Sequence, residues 1–258
     1  MSEFKIHTKI TWRVDLTRDI QQLFYPSLVK KINKSNDFFN QNFFVSMHDV
    51  DEKLFIEQFF PLYEKEIVQR PDYHLDKDVV KDHILTNIRG KKEYKLFSLY
   101  IKKEEKFVGG ILFHLEEDRI SIALRVIERA VNQQYKKRTT VDFWFESQFV
   151  NHLVDYHIQY LFHGMDTYPR QDHEIGLALF KLQVGALPMI STHETEIKHY
   201  TPQQLKKLQP VVFFDDPDCE DFLKSFHLWH EEGQIAEEML HSFESILSWT
   251  GVEFLINE

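Results

Sequence analysis

Three cations in a row, Lys136, Lys137 and Arg138, stand immediately before Thr139 and Thr140, and behind them begins a run of helical spacing, VDFWFESQFVNHLVDYHI. The free N–H groups of a helix start and the positive end of its dipole would meet these charges at one point, which suits a pyrophosphate-like anion. Just upstream, Glu128 breaks the apolar alternation of RISIALRVIERAV. A carboxylate set into an apolar strand can serve as a general base. Downstream, His163 and Asp166 close the short strand pattern YLFHGMD, where either could relay a proton or bind an amine. Tyr168 and His173, in the polar stretch that follows, could donate a proton to a leaving group. Each of these residues also has an ordinary reading. Glu128 could pair with Arg125 or Arg129 or lie exposed on its strand, and His163 could be a hydrogen-bonded core histidine. Tyr168 and His173 could sit on a surface loop, and the cation run could be a solvated loop that caps a core helix.

Fourteen histidines invite a metal reading that their spacing does not support. His152 and His157 are five apart and His163 and His173 ten, so no helical H-x-x-x-H pair exists. The nearest approach to a ligand set is His227, His230 and Glu231 in SFHLWHEEG, read here as the edge of an amphipathic helix, and no metal is expected. Cys219 lies beside Asp216 and Asp218, neighbours that would raise a thiol pKa, which argues against a nucleophile.

These residues need elements to hold them. Ile120, Ile122, Leu124 and Val126 alternate along a predicted strand over Arg119–Val131. The long helix should start near Thr140, with Thr139 and Asp142 approximating a capping box and Val141, Phe145, Phe149 and Leu153 forming its inner stripe. A strand over Tyr160–Asp166 and a helix from Ile175 closed by Gly185 follow. Upstream, Phe43–Met47 reads as a strand, and Asp51–Gln69 as a helix kinked or divided at Pro61. Leu75–Ile88 reads as a helix with Val79, Val80, Ile84 and Ile88 inside and Gly90 at its close. Leu96–Ile101 and Phe107–Leu115 flank a charged turn, with Gly109 and Gly110 marking a bulge or a close backbone approach. At the ends, a helix is expected over Asp19–Asn33, interrupted near Pro26, then a polar link to Asn42. Pro210–Phe214 and Val252–Ile256 read as strands, with a helical region from Glu220 into the 240s between them.

The order strand, basic loop, helix, strand, helix, together with GLALFKLQVGA at Gly176–Ala186, resembles the acyl-CoA N-acyltransferase superfamily with the GNAT fold. The short motif is similar to the G-L-x-x-F-K-x-x-F-G pattern of its FemAB-like branch of aminoacyl and acyl transferases. The resemblance implies an α+β fold with a mixed, largely antiparallel, twisted central sheet flanked by helices. The core would span 43–197, with an N-terminal extension over 1–42 and a C-terminal α/β addition over 198–258. It implies direct attack of an amine on a thioester, with no covalent enzyme intermediate. The donor would be an acyl-CoA or an acyl carrier protein thioester, the acceptor a small-molecule or peptide amine. Aminoacyl-tRNA is a further donor of the branch. Carried onto this sequence, the donor-binding stretch is Ala130 and Val131, then Lys136, Lys137, Arg138, Thr139 and Thr140, and the catalytic candidates remain Glu128, His163, Asp166, Tyr168 and His173. Two departures stand out: the loop Gln134–Thr140 holds no glycine, and Phe180 occupies the place of the family's proton-donating tyrosine. The other reading is a GNAT-like chain without catalysis that acts as a binding or scaffolding subunit. A further alternative makes the acidic C-terminal part a partner-binding module presented by the core.

Composition permits either. With 258 residues, 43% of them hydrophobic and 23 of them Phe, the chain can bury a large core. A formal charge of -10 disfavours nucleic acid as a partner, because non-specific binding rests on neutralising phosphates. No membrane span or signal-like apolar segment is read, so a cytoplasmic location is expected.

Overall fold

In the computed structural model, residues 3–70, 75–90, 93–116, 118–134, 140–168, 170–171, 175–190, 197–214, 223, 225–231 and 235–257 are described. The chain opens with strands β1 (Phe4–His7) and β2 (Lys9–Asp15), a helical turn α1 (Ile20–Leu23), helix α2 (Pro26–Asn42) and strand β3 (Phe43–Asp49). A helical segment follows, in which α3 (Glu52–Leu54) and α4 (Phe60–Tyr63) are each succeeded by a π turn, Phe55–Phe59 and Glu64–Val68. Next come α5 (Lys77–Arg89), strands β4 (Tyr94–Ile101), β5 (Lys106–Leu115) and β6 (Arg119–Ile127), and helices α6 (Arg129–Gln134) and α7 (Val141–Leu153). The remainder runs β7 (Tyr160–Thr167), β8 (Arg170–Gln171), α8 (Ile175–Gln183), β9 (Leu187–Ile190), β10 (Ile197–Tyr200), α9 (Pro202–Lys206), β11 (Val211–Phe214), β12 (Ser225–Trp229), α10 (Glu237–Thr250) and β13 (Glu253–Asn257). The class is α+β, with largely antiparallel sheet flanked by helices, as the sequence predicts. The chain divides into two compact units, residues 26–161 and residues 1–25 with 162–258.

In the unit 26–161, β3, β4, β5 and β6 form an antiparallel meander. Neighbouring residues on a strand point to opposite faces, and both faces here are apolar. Phe97 on β4 and Phe113 on β5 meet α7: Phe97 stacks on Phe145 at 5.2 Å, and Phe113 meets Phe149 edge-on at 5.1 Å. Leu96, Leu112 and Val126 face the other way and join Phe55, Phe59, Phe60, Tyr63, Ile84 and Leu85 in a second core cluster. α2 reinforces α7, with Phe39 5.4 Å from Trp144 and Asn36 accepting the Trp144 indole N–H at 3.1 Å. Pro61 lies at the start of α4, directly after the first π turn, and the backbone stays right-handed helical on both sides of α4, so the helical segment continues past the proline.

Both readings of the paired glycines hold. The β4–β5 register shifts between Leu99, opposite Gly109, and Tyr100, opposite Phe107, so Val108 is the extra residue of a bulge. Gly110 is the close approach: a Cβ there would sit 2.8 Å from a Leu96 methyl and 3.1 Å from two Phe59 ring carbons.

Several sequence expectations are corrected. The strand from Arg119 ends at Ile127, and Ala130 and Val131 lie on α6, because the Glu128 carbonyl accepts N–H bonds from Val131 at 3.0 Å and Asn132 at 3.2 Å and starts a helix there. The polar link over 33–42 is helical, since Leu28, Ile32, Ser35 and Phe39 continue one buried stripe through α2. Val79 faces solvent, 64% exposed. It lies five residues before buried Ile84, about 140° round the helix. Residues 225–229 form a strand, not a helix, paired antiparallel with β11 and parallel with β13. The N-terminal residues 4–7 and 9–15 are also strands, β2 with Ile10, Trp12 and Val14 buried on one face. In the second unit, β2 pairs antiparallel with β9 and β1 with β10.

Gly110→Val should destabilise the protein by about 1–3 kcal/mol, the usual range for overpacking a core. The expected result is a lower urea midpoint with an unchanged denaturant slope, whereas Gly176→Ala, whose added methyl would meet nothing within 4 Å, should shift the midpoint far less.

Candidate functional site

In the unit 26–161 the described candidates are Glu128, Ala130 and Val131, just past the end of β6, and Thr140, at the start of α7. Glu128 donates its N–H to the Val108 carbonyl at 2.8 Å and turns its side chain to two lysines. Lys65, on the second π turn, donates to Oε1 at 3.0 Å, and Lys106, at the start of β5, donates to Oε2 at 2.8 Å. Burial pulls this carboxyl upward, but the bonds from Lys106 and Lys65 outweigh it and hold Glu128 below the ordinary glutamate value. The carboxylate is therefore ionised and occupied. Its partners are Lys65 and Lys106, not the Arg125 or Arg129 weighed from the sequence. Glu66, beside Lys65, accepts the Arg129 N–H at 3.1 Å.

Next to it is the N-terminus of α7. Thr140 is the cap residue, in extended conformation and without a side-chain cap bond, and Lys136, Lys137, Arg138 and Thr139 lie outside the described residues. Asp142 is held by Asn132: the Asn132 amide donates to the Asp142 carboxylate, and the Asn132 carbonyl oxygen accepts the Asp142 N–H at 3.4 Å. Arg125 reaches across from β6, donating to Glu146 Oε2 at 2.7 Å and to the Asp142 carbonyl at 3.1 Å. Glu146 is fully buried, and burial raises its carboxyl above the ordinary value, against the pull of Arg125. The described part of this helix start thus holds two carboxylates and one guanidinium. Ala130 is exposed on α6 and Val131 is buried, so only Ala130 of that pair presents its side chain to solvent.

The other unit holds the remaining candidates. Asp166, near the end of β7, accepts a 2.7 Å hydrogen bond from the Lys181 ammonium, and both side chains are buried, at 6% and 4% exposure. Lys181 also lies over the Trp12 ring, 5.4 Å from its centroid. Ile175, Ala178, Lys181 and Leu182 make the buried stripe of α8, so helical periodicity itself carries the ammonium inward. Lys181 stood in the sequence motif but not among the candidates. The legible signal was a lone charge at a core position of an apolar helix. Tyr168 is buried, with its ring 5.2 Å from Phe214 and its N–H donating to the Thr8 carbonyl at 2.8 Å, so it is a core residue rather than a surface-loop one. His163 is half-buried on β7, and His173 lies outside the described residues.

Among the described residues no group of three or more metal-ligating side chains converges. His227 lies in β12, stacked on Phe213 at 4.8 Å and edge-on to Phe4. Burial pushes its pKa down to about 4.

No family model matches the sequence, and no curated protein matches it. Among solved structures, FemX aligns over 78% of this chain and 63% of its own, at 10% identity and a TM-score of 0.53. L-PGS from Bacillus licheniformis aligns over 77% of this chain and 61% of its own, at 11% identity and a TM-score of 0.48. A tandem GNAT protein from the clavulanic acid biosynthesis pathway aligns over 71% and 51%, at 7% identity and a TM-score of 0.39. The chain spans less than two thirds of each of these proteins.

Two predictions test the buried groups. Lys181→Met should destabilise by about 3–5 kcal/mol by stranding a buried carboxylate, and Lys181→Met with Asp166→Leu should recover most of that loss, as read from urea midpoints. His227 stays neutral in the fold, so the stability it contributes is present above the unfolded value of 6.5 and is lost as pH falls toward about 4. His227→Phe should flatten that limb of the stability–pH curve by about 3 kcal/mol. In fold, this chain is similar to FemX, and its α+β class is the one that the FemAB-like resemblance implies.

Proposed function

We propose that this protein is an N-acyltransferase that moves an acyl group from an acyl-CoA or carrier-protein thioester to an amine by direct attack. The observation that carries the reading is the buried pair that Lys181, of the GLALFKLQVGA motif, makes with Asp166 on β7 in a chain with a FemX-like fold. Aminolysis needs a carboxylate or imidazole to hold the amine and take its proton, and a positive group to meet the charge that develops on the carbonyl oxygen. Lys181, oriented by Asp166, suits the second role, and His163 on the same strand as Asp166 suits the first. The C–N bond forms as the C–S bond breaks, and the amine proton returns to the leaving thiolate through His163, His173 or Tyr168. Glu128, clamped by two ammonium groups, is a weak base and serves better to fix β6 against the second π turn.

The donor's pyrophosphate is assigned to the loop Lys136, Lys137, Arg138, Thr139 and Thr140. Acetyl-CoA, longer acyl-CoAs or free CoA at about 100 times their dissociation constant should stabilise the protein by about 2.7 kcal/mol, read as a rise in Tm. The triple variant Lys136→Ala, Lys137→Ala, Arg138→Ala should lose that rise, and the wild type should release free thiol when amines are added. No rise and no thiol release with any CoA thioester or acylated carrier protein would overturn the enzyme reading and leave a GNAT-fold binding subunit.

A further inference from the structure

β2 has two faces with different chemistry. Trp12 turns to Lys181, while Arg13 and Asp15, one residue either side of Val14 in the opposite phase, point the other way. On that second face lies a cleft of about 360 Å³, formed wholly within the unit of residues 1–25 and 162–258. The volume is in the lower part of the range for small-molecule sites, about 300–1,000 Å³. Its lining is mixed: Arg13, Asp15 and Arg18 are charged, and Leu187, Leu223 and Trp249 are apolar.

The geometry is built rather than incidental. Arg13 is directly opposite Leu187 in the β2–β9 register, which sets one cationic and one apolar lining residue side by side. The Leu223 N–H donates to the Pro188 carbonyl at 3.1 Å, and Trp249 is steadied by Tyr25, ring to ring at 5.8 Å. Gly251 closes α10 in the left-handed region at φ 77°, and a Cβ there would meet nothing within 4 Å, so the backbone leaves that edge open. The lining bears two guanidinium groups and one carboxylate, net positive in a chain whose formal charge is -10.

The carboxylate is already engaged. Asp15 Oδ1 accepts from the Thr17 N–H at 3.1 Å and the Thr17 hydroxyl at 2.6 Å, and Oδ2 is 3.7 Å from the Arg18 guanidinium. Burial raises its pKa, but Thr17 and the two arginines prevail, so Asp15 stays ionised and orients Arg18. At 3.7 Å the Arg18 contact is an ion pair outside hydrogen-bond range, so its N–H groups can be recruited by an anion. Arginine suits that task because its planar fork matches carboxylate and phosphate oxygens.

We propose that this cleft binds a small amphipathic anion, with its carboxylate or phosphate head at Arg13 and Arg18 and its apolar tail against Leu187, Leu223 and Trp249. The site lies on the face of β2 away from Trp12, and it is independent of the acyl-transfer reading.

The test is a titration of the full chain with octanoate, octyl phosphate and, as a neutral control, octanol, followed by tryptophan fluorescence and by Tm. Saturable binding of at least one anion, at least tenfold tighter than octanol, is expected. The tighter of the two anions names the head group. Arg18→Glu, on a side chain 58% exposed, should fold and weaken the anion at least tenfold. Trp249→Phe should silence the fluorescence change while the Tm rise persists. Equal binding of octanol, undiminished binding by the Arg18 variant, or no saturation by either anion would overturn the proposal.

Discussion

The contact on which unit 26–161 depends is that of α7 with the sheet, Phe145 and Phe149 against Phe97 and Phe113. Aromatic rings of this size carry much of the apolar area in a core and favour offset or edge geometries, so they fix a helix in rotation as well as in position. With α7 fixed, Glu146 turns inward one residue after Phe145, and Arg125 on β6 becomes the group that must meet it. Fixing α7 also sets where its N-terminus emerges, next to α6. The polar arrangement of Arg125, Asn132, Asp142 and Glu146 is thus a consequence of hydrophobic packing a turn or more away. Leaving Glu146 unpaired there would cost far more than an exposed ion pair is worth.

The opposite face of the same sheet obeys a steric rule rather than an electrostatic one. The π turn Phe55–Phe59 can lie on β5 only because residue 110 has no side chain. The second π turn then delivers Lys65 to Glu128, so a missing methyl on β5 and a clamped carboxylate at the end of β6 belong to one chain of placement. In the other unit, β2 plays the corresponding part by alternation alone, presenting Trp12 to Lys181 on one face and Arg13 to the cleft on the other.

What the sequence made legible follows from how strongly each segment is patterned. β4, β5 and β6 carry apolar alternation bounded by charged turns, and α7 repeats large apolar residues every four positions, so both can be read directly. α2 hides its second half because serine and asparagine surround Phe39, although the i, i+3, i+4 spacing from Leu28 persists. β12 misleads because five residues with three aromatics or near-aromatics fit a strand and a helix equally, and only pairing with β11 and β13 decides between them. β1 and β2 carry the clearest unread signal, Ile10, Trp12 and Val14 at alternate positions. Of the site, Asp166 is visible as a carboxylate closing a strand. Its partner Lys181 is not, because a lysine in a helix is ordinarily a solvated one and the turn-by-turn phase of α8 must be followed to see that this one is buried. The lysines that occupy Glu128 come from 63 and 22 residues away in the chain, separations at which local pattern carries no information.

Anion binding at α7 is constrained by the same packing. A helix N-terminus attracts phosphate through its unpaired N–H groups and the positive end of its dipole, an effect typically worth about 0.3–1 kcal/mol per charge at a surface and exhausted within the first turn. Here the Asp142 N–H is already given to Asn132, and the Asp142 carboxylate stands in that first turn. The described part of the helix end therefore offers less to a phosphate than its sequence promised. In the proposed reading, the grip on a pyrophosphate rests largely on the charges of Lys136, Lys137 and Arg138. A grip of that kind weakens as salt rises, while the buried Lys181–Asp166 pair, shielded from ions, keeps its strength. Donor affinity and the chemical step would then respond differently to ionic strength, the first falling with added salt and the second holding constant.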